Sequence, residues 1–458
     1  MAAMVRRRVA IAGAVWLAVA LALAAASPPP EATHRVWLLG GVPDEATCAA
    51  LANAGVAGLV LPVGRVEVSQ QGSRFTLSPL PDLKPIARLP ITPLVWVVGE
   101  GKASGDPATF GAQFAPVARS LGSHGGLILA ARRYFPGLPW FAIGVARKLQ
   151  APVELALSAV DLSAHVPSGG WPGVRLLAVA LGNPTALGLA PSTPQDDLAA
   201  LARLDEAGAP YRVGIVVSPR VDPAPGPAGA SLALLANSEV ASYRPGDEGD
   251  VFVLRRPVSW GGTALEADQR VTVSVVDTAR YNRDVALLLR PIRPHLDGWD
   301  TIGLPAPEPT LGMSREAFLD YLDGGSPDPS LRTEVTWPSP ATMRISVSNP
   351  TPQASAIATV GNWVEVRFAG TVVRDLRLGE FAGVEYGSGE GGTWRRTAVR
   401  EASAVRLFIT YLAPHGRLSG AVVTFLTRPR EVAIHWELRL GDGSDIGGPL
   451  QPVSLAGR

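Results

Sequence analysis

The feature that most constrains this chain is an alternation that runs through its first three hundred residues. Short, mostly apolar runs recur at Val36–Leu39, Gly58–Val63, Thr92–Val98, Gly126–Ala130, Val153–Val160, Val174–Leu181, Arg212–Val217 and Trp299–Leu304. Helix-like stretches stand between them at Asp44–Ala54, Pro107–Leu121, Phe141–Leu149, Pro194–Ala207 and Thr278–Leu289. Several carry start signals, such as Asp106-Pro107 and Thr193-Pro194-Gln195-Asp196-Asp197. Strands that are apolar nearly throughout belong to a parallel sheet covered on both faces. Eight of them alternating with helices predict a (β/α)8 TIM-barrel-like domain. A doubly wound open sheet is the competitor, but no Gly-rich phosphate turn follows the first strand.

The alternation has gaps. Val66–Leu77 reads as a hairpin inserted after strand two, no helix is evident between Asp161 and Gly173, and Tyr243–Val276 has a β-like texture. After an expected helix at Ser314–Leu322, Gly324–Pro329 reads as a linker. Beyond it the hydrophobic period changes to two, with strands at Thr342–Val347, Trp363–Phe368, Thr371–Leu378, Val405–Leu412, Gly420–Leu426 and Val432–Leu440. This predicts a C-terminal β-sandwich. The expected division is residues 33–324 for the barrel and 331–458 for the sandwich.

Residues 1–26 stand apart. Arg6, Arg7 and Arg8 precede an uncharged run from Val9 to Ala26, and Ala24-Ala25-Ala26 offers a small-residue cleavage site. This is an export signal, or an uncleaved anchor, since the run is just long enough to span a bilayer. Either way the body is expected outside the cytoplasm, periplasmic or secreted, with the membrane touched only through this segment. Lys+Arg 41 against Asp+Glu 40 is near neutrality; without residues 1–26 three arginines and no acid are lost, leaving a net charge of −2. Such a balance gives no reason to expect a nucleic acid as partner. The single cysteine, Cys48, excludes an internal disulfide and multi-cysteine metal sites, and its helical setting predicts a buried thiol.

Sharp motifs fail on context. Gly387–Gly392 spells G-x-G-x-x-G but lies in the sandwich and leads into a strand. The six histidines are scattered, so neither a metal nor a cofactor is expected. In a barrel of this class function sits at the C-terminal ends of the strands. Those ends offer Gly40-Gly41, Gly64-Arg65, Glu100, Arg132-Arg133, Asp161, Asn183, Ser218–Arg220 and Asp300. Glycosidic chemistry needs two carboxylates flanking the bond, and Glu100, Asp161 and Asp300 are the candidates. Trp37, Trp96 and Trp299 could offer stacking faces to a sugar, while core packing is the commoner use of the residue.

The chain resembles an uncharacterised bacterial family of exported, glycosidase-like TIM barrels (domain of unknown function 3142). The resemblance is carried by Ser242-Tyr243-Arg244-Pro245-Gly246-Asp247, Gly298-Trp299-Asp300-Thr301-Ile302-Gly303-Leu304-Pro305, Met313–Phe318 and Ser346–Asn349. It implies a strand four ending in closely spaced acids. Here Ala130 and Arg132 stand at those places, and neither exchanges a proton near neutral pH, which argues against hydrolysis at that strand end. Two functions remain. One is a non-catalytic barrel holding a glycan or cell-envelope ligand, with Arg132, Arg133, Asn183, Arg220 and the tryptophans as its contacts and an anionic group as its target. The other is a glycoside hydrolase using Glu100, Asp161 or Asp300.

Overall fold

A computed structural model describes residues 32–121, 126–224, 231–246, 249–307, 311–388 and 394–455. The expected leader, residues 1–26, falls outside the described residues, as do residues 389–392 of the glycine-rich run. Eight parallel strands close on themselves: β1 (Thr33–Trp37), β2 (Val56–Ser69), β4 (Ile91–Gly99), β5 (Leu127–Ala131), β6 (Val153–Ser158), β7 (Val174–Gly182), β8 (Tyr211–Val216) and β15 (Leu296–Ile302). Closure is made by β1, which pairs with β15 on one side and β2 on the other. The doubly wound alternative is thereby excluded. The inserted hairpin is β3 (Gly72–Leu77), antiparallel to the upper half of β2.

Helices cover the barrel: α1 (Glu45–Asn53), α2 (Pro107–Ser120), α3 (Leu138–Leu149), α4 (Ala159–His165), α5 (Pro194–Ala207), α7 (Thr278–Leu289) and α8 (Arg315–Leu322). Their starts follow the chemistry of the sequence. Asp44 and Asp106 accept from the amides of Thr47 and Ala108, and Thr193 with Asp196 forms a capping box. Helix α4 is the one that sequence patterning does not reveal. It has seven residues and starts directly on Ser158, whose hydroxyl accepts from the Asp161 amide, so strand and helix fuse into one apolar run.

Between β8 and α7 the chain builds a small antiparallel sheet in the order β10-β11-β14-β9, where β9 is Arg220–Asp222, β10 Ala241–Gly246, β11 Gly249–Leu254 and β14 Arg270–Ser274. A short helix α6 (Leu232–Ala236) packs on it. This is the β-textured interval around Tyr243–Val276. After α8 come two antiparallel sheets of four and six strands, whose facing residues (Met343, Ile345 and Val347 against Val364, Val366 and Leu407) share one core. That is sandwich packing.

Two separate layers of apolar side chains stabilise the barrel. The outer one lies between strands and helices and includes Val36, Leu59, Phe110, Phe141 and Leu201. The inner one fills the axis with Trp37, Val60, Leu94, Ile128, Ala156, Leu177, Val216 and Ile302, residues from all eight strands. Nearer the N-terminal end the axis is charged. Arg35 on β1 reaches across to Glu154 on β6, with Nη2 2.6 Å from Oε2, and turns its other edge to Asp300 on β15.

Candidate functional site

The C-terminal face of the barrel is closed along its axis. Beyond β7 the chain turns through Pro184–Leu187 and lays Ala186, Leu187 and Leu189 on the inner apolar layer, against the cluster that holds Trp37, Val179, Val216 and Ile302. This plug is held by an unusual corner. Leu181 and Gly182 are both left-handed, with φ of 65° and 66°. Such a conformation strains a leucine, and it persists only where the surroundings over-determine it. Here the Leu181 amide donates to Asp197 on α5 at 2.7 Å and the Gly182 amide to Asp284 on α7 at 3.0 Å, while Arg280 donates to the Gly182 carbonyl.

What stays open is a pocket of about 430 Å³ to one side of the plug, at the ends of β2, β4 and β5. Its lining comprises Arg65, Trp96, Val97, Val98, Gly99, Arg132, Arg133 and Phe135. Register explains the grouping: Arg65 is level with Trp96, and Trp96 with Ala130, so the three point to one side and Arg132 follows two residues above. Gly99 is required here, because a Cβ on it would stand 2.6 Å from the Phe135 ring. The Arg132 side chain runs over Gly188, at the end of the plug, where a Cβ would stand 3.5 Å from its Cδ and Nε. Arg65 is ion-paired with Glu67. Among the described residues, no hydrogen bond or ion pair engages the side chains of Arg132 and Arg133, both exposed. Each of these two unpaired guanidinium groups beside an aromatic wall is a planar donor suited to a carboxylate.

The sequence-derived candidates distribute unevenly around this pocket. Trp96, Arg132 and Arg133 line it. Glu100 is exposed one residue beyond β4 and is not part of the lining, and Asp161 is half-buried in the first turn of α4. Asn183 is buried and structural in its contacts: its amide donates to the carbonyls of Ser218 and Ser274, and its oxygen accepts from Thr185. Arg220 pairs in the small sheet opposite Ser274. Trp37 and Trp299 are corrections to the stacking expectation. Trp37 is sealed in the axis with its indole donating to Asp300, and Trp299 faces away from the axis, stacked on the buried His34 at 4.8 Å. Arg65 stands among the strand ends that the sequence offers but not among the expected contacts, although the alternation Arg65-Val66-Glu67-Val68 puts one face of β2 out of the core; Phe135 was missed.

Asp300 is also placed differently from a catalytic acid. It is 0% exposed, with Oδ1 accepting from Arg35 and Arg212 at 3.0 and 2.9 Å and Oδ2 from Arg35 and Trp37 at 2.8 Å each. Burial alone would push this carboxyl up, but the guanidinium groups of Arg35 and Arg212 outweigh it and hold the group below the usual carboxylate range. Its four hydrogen bonds and full burial make it an anchor inside the barrel rather than an acid open to a substrate. Among the described residues no three His, Cys, Asp or Glu side chains converge as a metal site.

No protein-family model matches this chain, and no curated protein does. Among solved structures it is similar to the spore cortex-lytic enzyme SleL of Bacillus megaterium QM B1551, at 10% identity over 60% of this chain and 71% of that one, with a TM-score of 0.38. It is also similar to the glycoside hydrolase family 30 subfamily 8 xylanase Xyn30A of Clostridium acetobutylicum, at 9% identity over 86% and 95% of the two chains, with a TM-score of 0.31. Neither likeness carries any residue across.

Proposed function

We propose that this protein is a non-catalytic, glycoside-hydrolase-like barrel that acts outside the cytoplasm and holds a glycan or cell-envelope ligand at the C-terminal face. The observation that carries this reading is the composition of the open pocket: three arginines, two aromatic rings and no carboxylate in the lining. Hydrolysis of a glycosidic bond needs an acid and a base on either side of it. In their place the pocket presents Arg132 and Arg133, whose free forks suit a carboxylate such as that of a uronate, while Trp96 and Phe135 can bear the apolar face of a sugar ring. The segment Ala186–Leu189 covers the axis, so the pocket is the opening that this face offers to one side of it. Membership in the exported family that the sequence resembles is part of the same proposal.

The test is a titration of the purified chain with polygalacturonate and with neutral xylan, with an assay for released reducing ends on the same samples. Saturable, salt-sensitive binding of the acidic polymer without release of ends is the expected result. Arg132→Ala and Arg133→Ala should each weaken that binding by roughly tenfold, the worth of one charge-assisted contact. Release of reducing ends that disappears in Glu100→Gln or Asp161→Asn would overturn the reading in favour of a hydrolase.

A further inference from the structure

The end of the barrel opposite the pocket carries a feature that neither packing nor the ligand site uses. Helix α7 runs toward this end because it leads into the start of β15, and the connection between them exposes Ile292 at 96% and Leu289 at 42%. An isoleucine so fully in water, between Pro291 and Pro294, buries nothing in the folded chain. The surroundings are basic: Arg147 and Lys148 in the last turn of α3, Arg175 at the start of β7, Arg203 near the end of α5 and Arg290 beside Ile292 are all exposed. Against them stand the exposed Glu206 and the half-buried Asp297, while Asp205 is already paired with Arg293.

The chain enters the barrel at this same end. Thr33 begins β1 level with Gly298, and Arg212 clamps it through its hydroxyl and carbonyl at 2.7 and 2.8 Å. From Ala26, where the uncharged run from Val9 stops, only seven residues lead to Thr33. Fully extended they reach at most about 25 Å. An anchor formed by that run would hold this end of the barrel within reach of the bilayer surface.

We propose that the N-terminal end of the barrel rests on an anionic membrane surface, with residues 9–26 as anchor, Ile292 and Leu289 dipping into the interface and the basic rim facing lipid phosphates. The juxtaposition that carries this is an unburied apolar tip, a basic surround and the emergence of a bilayer-length apolar run at one end of one barrel. The ligand pocket then faces away from the membrane. This proposal is independent of what the pocket binds.

The test uses the full chain in vesicles of mixed phosphatidylcholine and phosphatidylglycerol. In a Cys48→Ser background, Ile292→Cys carries an environment-sensitive fluorophore, and Lys102→Cys, exposed at the opposite end, carries the same label as reference. Both positions are on the surface, so neither label disturbs packing. Lipid-borne nitroxide should quench the label at 292 several-fold more than that at 102, aqueous iodide the reverse, and pure phosphatidylcholine should shrink the contrast. Equal quenching of the two labels would overturn the proposal. So would recovery of the exported chain cleaved after Ala26 and free of membrane. A contrast that appears only after a second protein is added would replace the lipid surface with a protein partner and also overturn it.

Discussion

Replacing Asp300 by asparagine separates an anchoring carboxylate from a catalytic one. Four N–H groups converge on the native side chain, two from Arg35 and one each from Trp37 and Arg212. Asparagine keeps the volume but leaves one oxygen. Its amide nitrogen would point donors at the Arg35 and Trp37 donors, and Arg212 would lose its only carboxylate partner while remaining 9% exposed. Arg35 would keep Glu154 alone. Removing one member of a buried ionic set costs about 3–5 kcal/mol, because the charge left behind is uncompensated. With a urea m-value of about 3 kcal/mol/M for a domain of this size, the midpoint of barrel unfolding should fall by roughly 1 M or more. Tryptophan fluorescence reports the transition, since Trp37 and Trp299 flank the site. Glu100→Gln, an exposed surface change, should stay within about 0.5 kcal/mol of the native chain. An Asp300→Asn midpoint indistinguishable from that of Glu100→Gln would refute the anchoring role.

Further outcomes follow from other parts of the molecule. Burial holds the His34 imidazole at about 4, with the Asp300 charge opposing the shift and Arg212 adding to it, so the fold favours the neutral ring. Stability from this group is therefore full above pH 6.5 and is lost as the pH falls from 6.5 to 4, by on the order of 3 kcal/mol, and His34→Gln should flatten that part of a melting-temperature profile against pH. Gln150 ends α3 in a left-handed conformation with φ of 50°, so Gln150→Gly should stabilise the chain by about 0.5–1 kcal/mol in urea unfolding. Burial pushes the Cys48 thiol up, and a thiol reagent such as Ellman's should titrate it only in denaturant. Asp197→Asn should loosen the plug by weakening the Leu181 amide contact, read as faster amide exchange at Leu181 and Gly182.

The barrel was legible because its strands are buried on both sides, so each of the eight apolar runs overlaps a strand, although Val36–Leu39 shares only Val36 and Trp37 with β1 and Val153–Val160 runs on into α4. Helix α4 was hidden by its shortness and by Ser158, which ends a strand and caps a helix at once. The pocket was half legible. Arg132-Arg133 stood out at a strand end, and Trp96 lay in a strand; but Arg65 joins them only through the register of β2 on β4. The fate of Asp300 could not be read locally, since its partners lie 265 and 88 residues away in sequence. The same holds for Trp37 and Trp299, whose faces point inward and outward because of strand parity rather than residue type. The plug was invisible for another reason: Pro184–Leu189 has the composition of an ordinary surface loop, and only the corner imposed by Asp197 and Asp284 turns it over the axis.

The charged cross-piece inside the barrel also sets an order of assembly. Arg35 arrives with the first strand and Glu154 with the fifth, but the carboxylate that completes the set belongs to the last. A chain that emerges from its N-terminus exposes a growing sheet whose first and seventh strands both hold an arginine waiting for Asp300. Loop closure over more than 260 residues must be met before that charge is matched. Partial barrels should therefore be penalised at their core, and closure by β15 is expected to come late. Were the chain exported unfolded, in line with the function proposed above, such a delay would keep it open until the whole barrel had passed through.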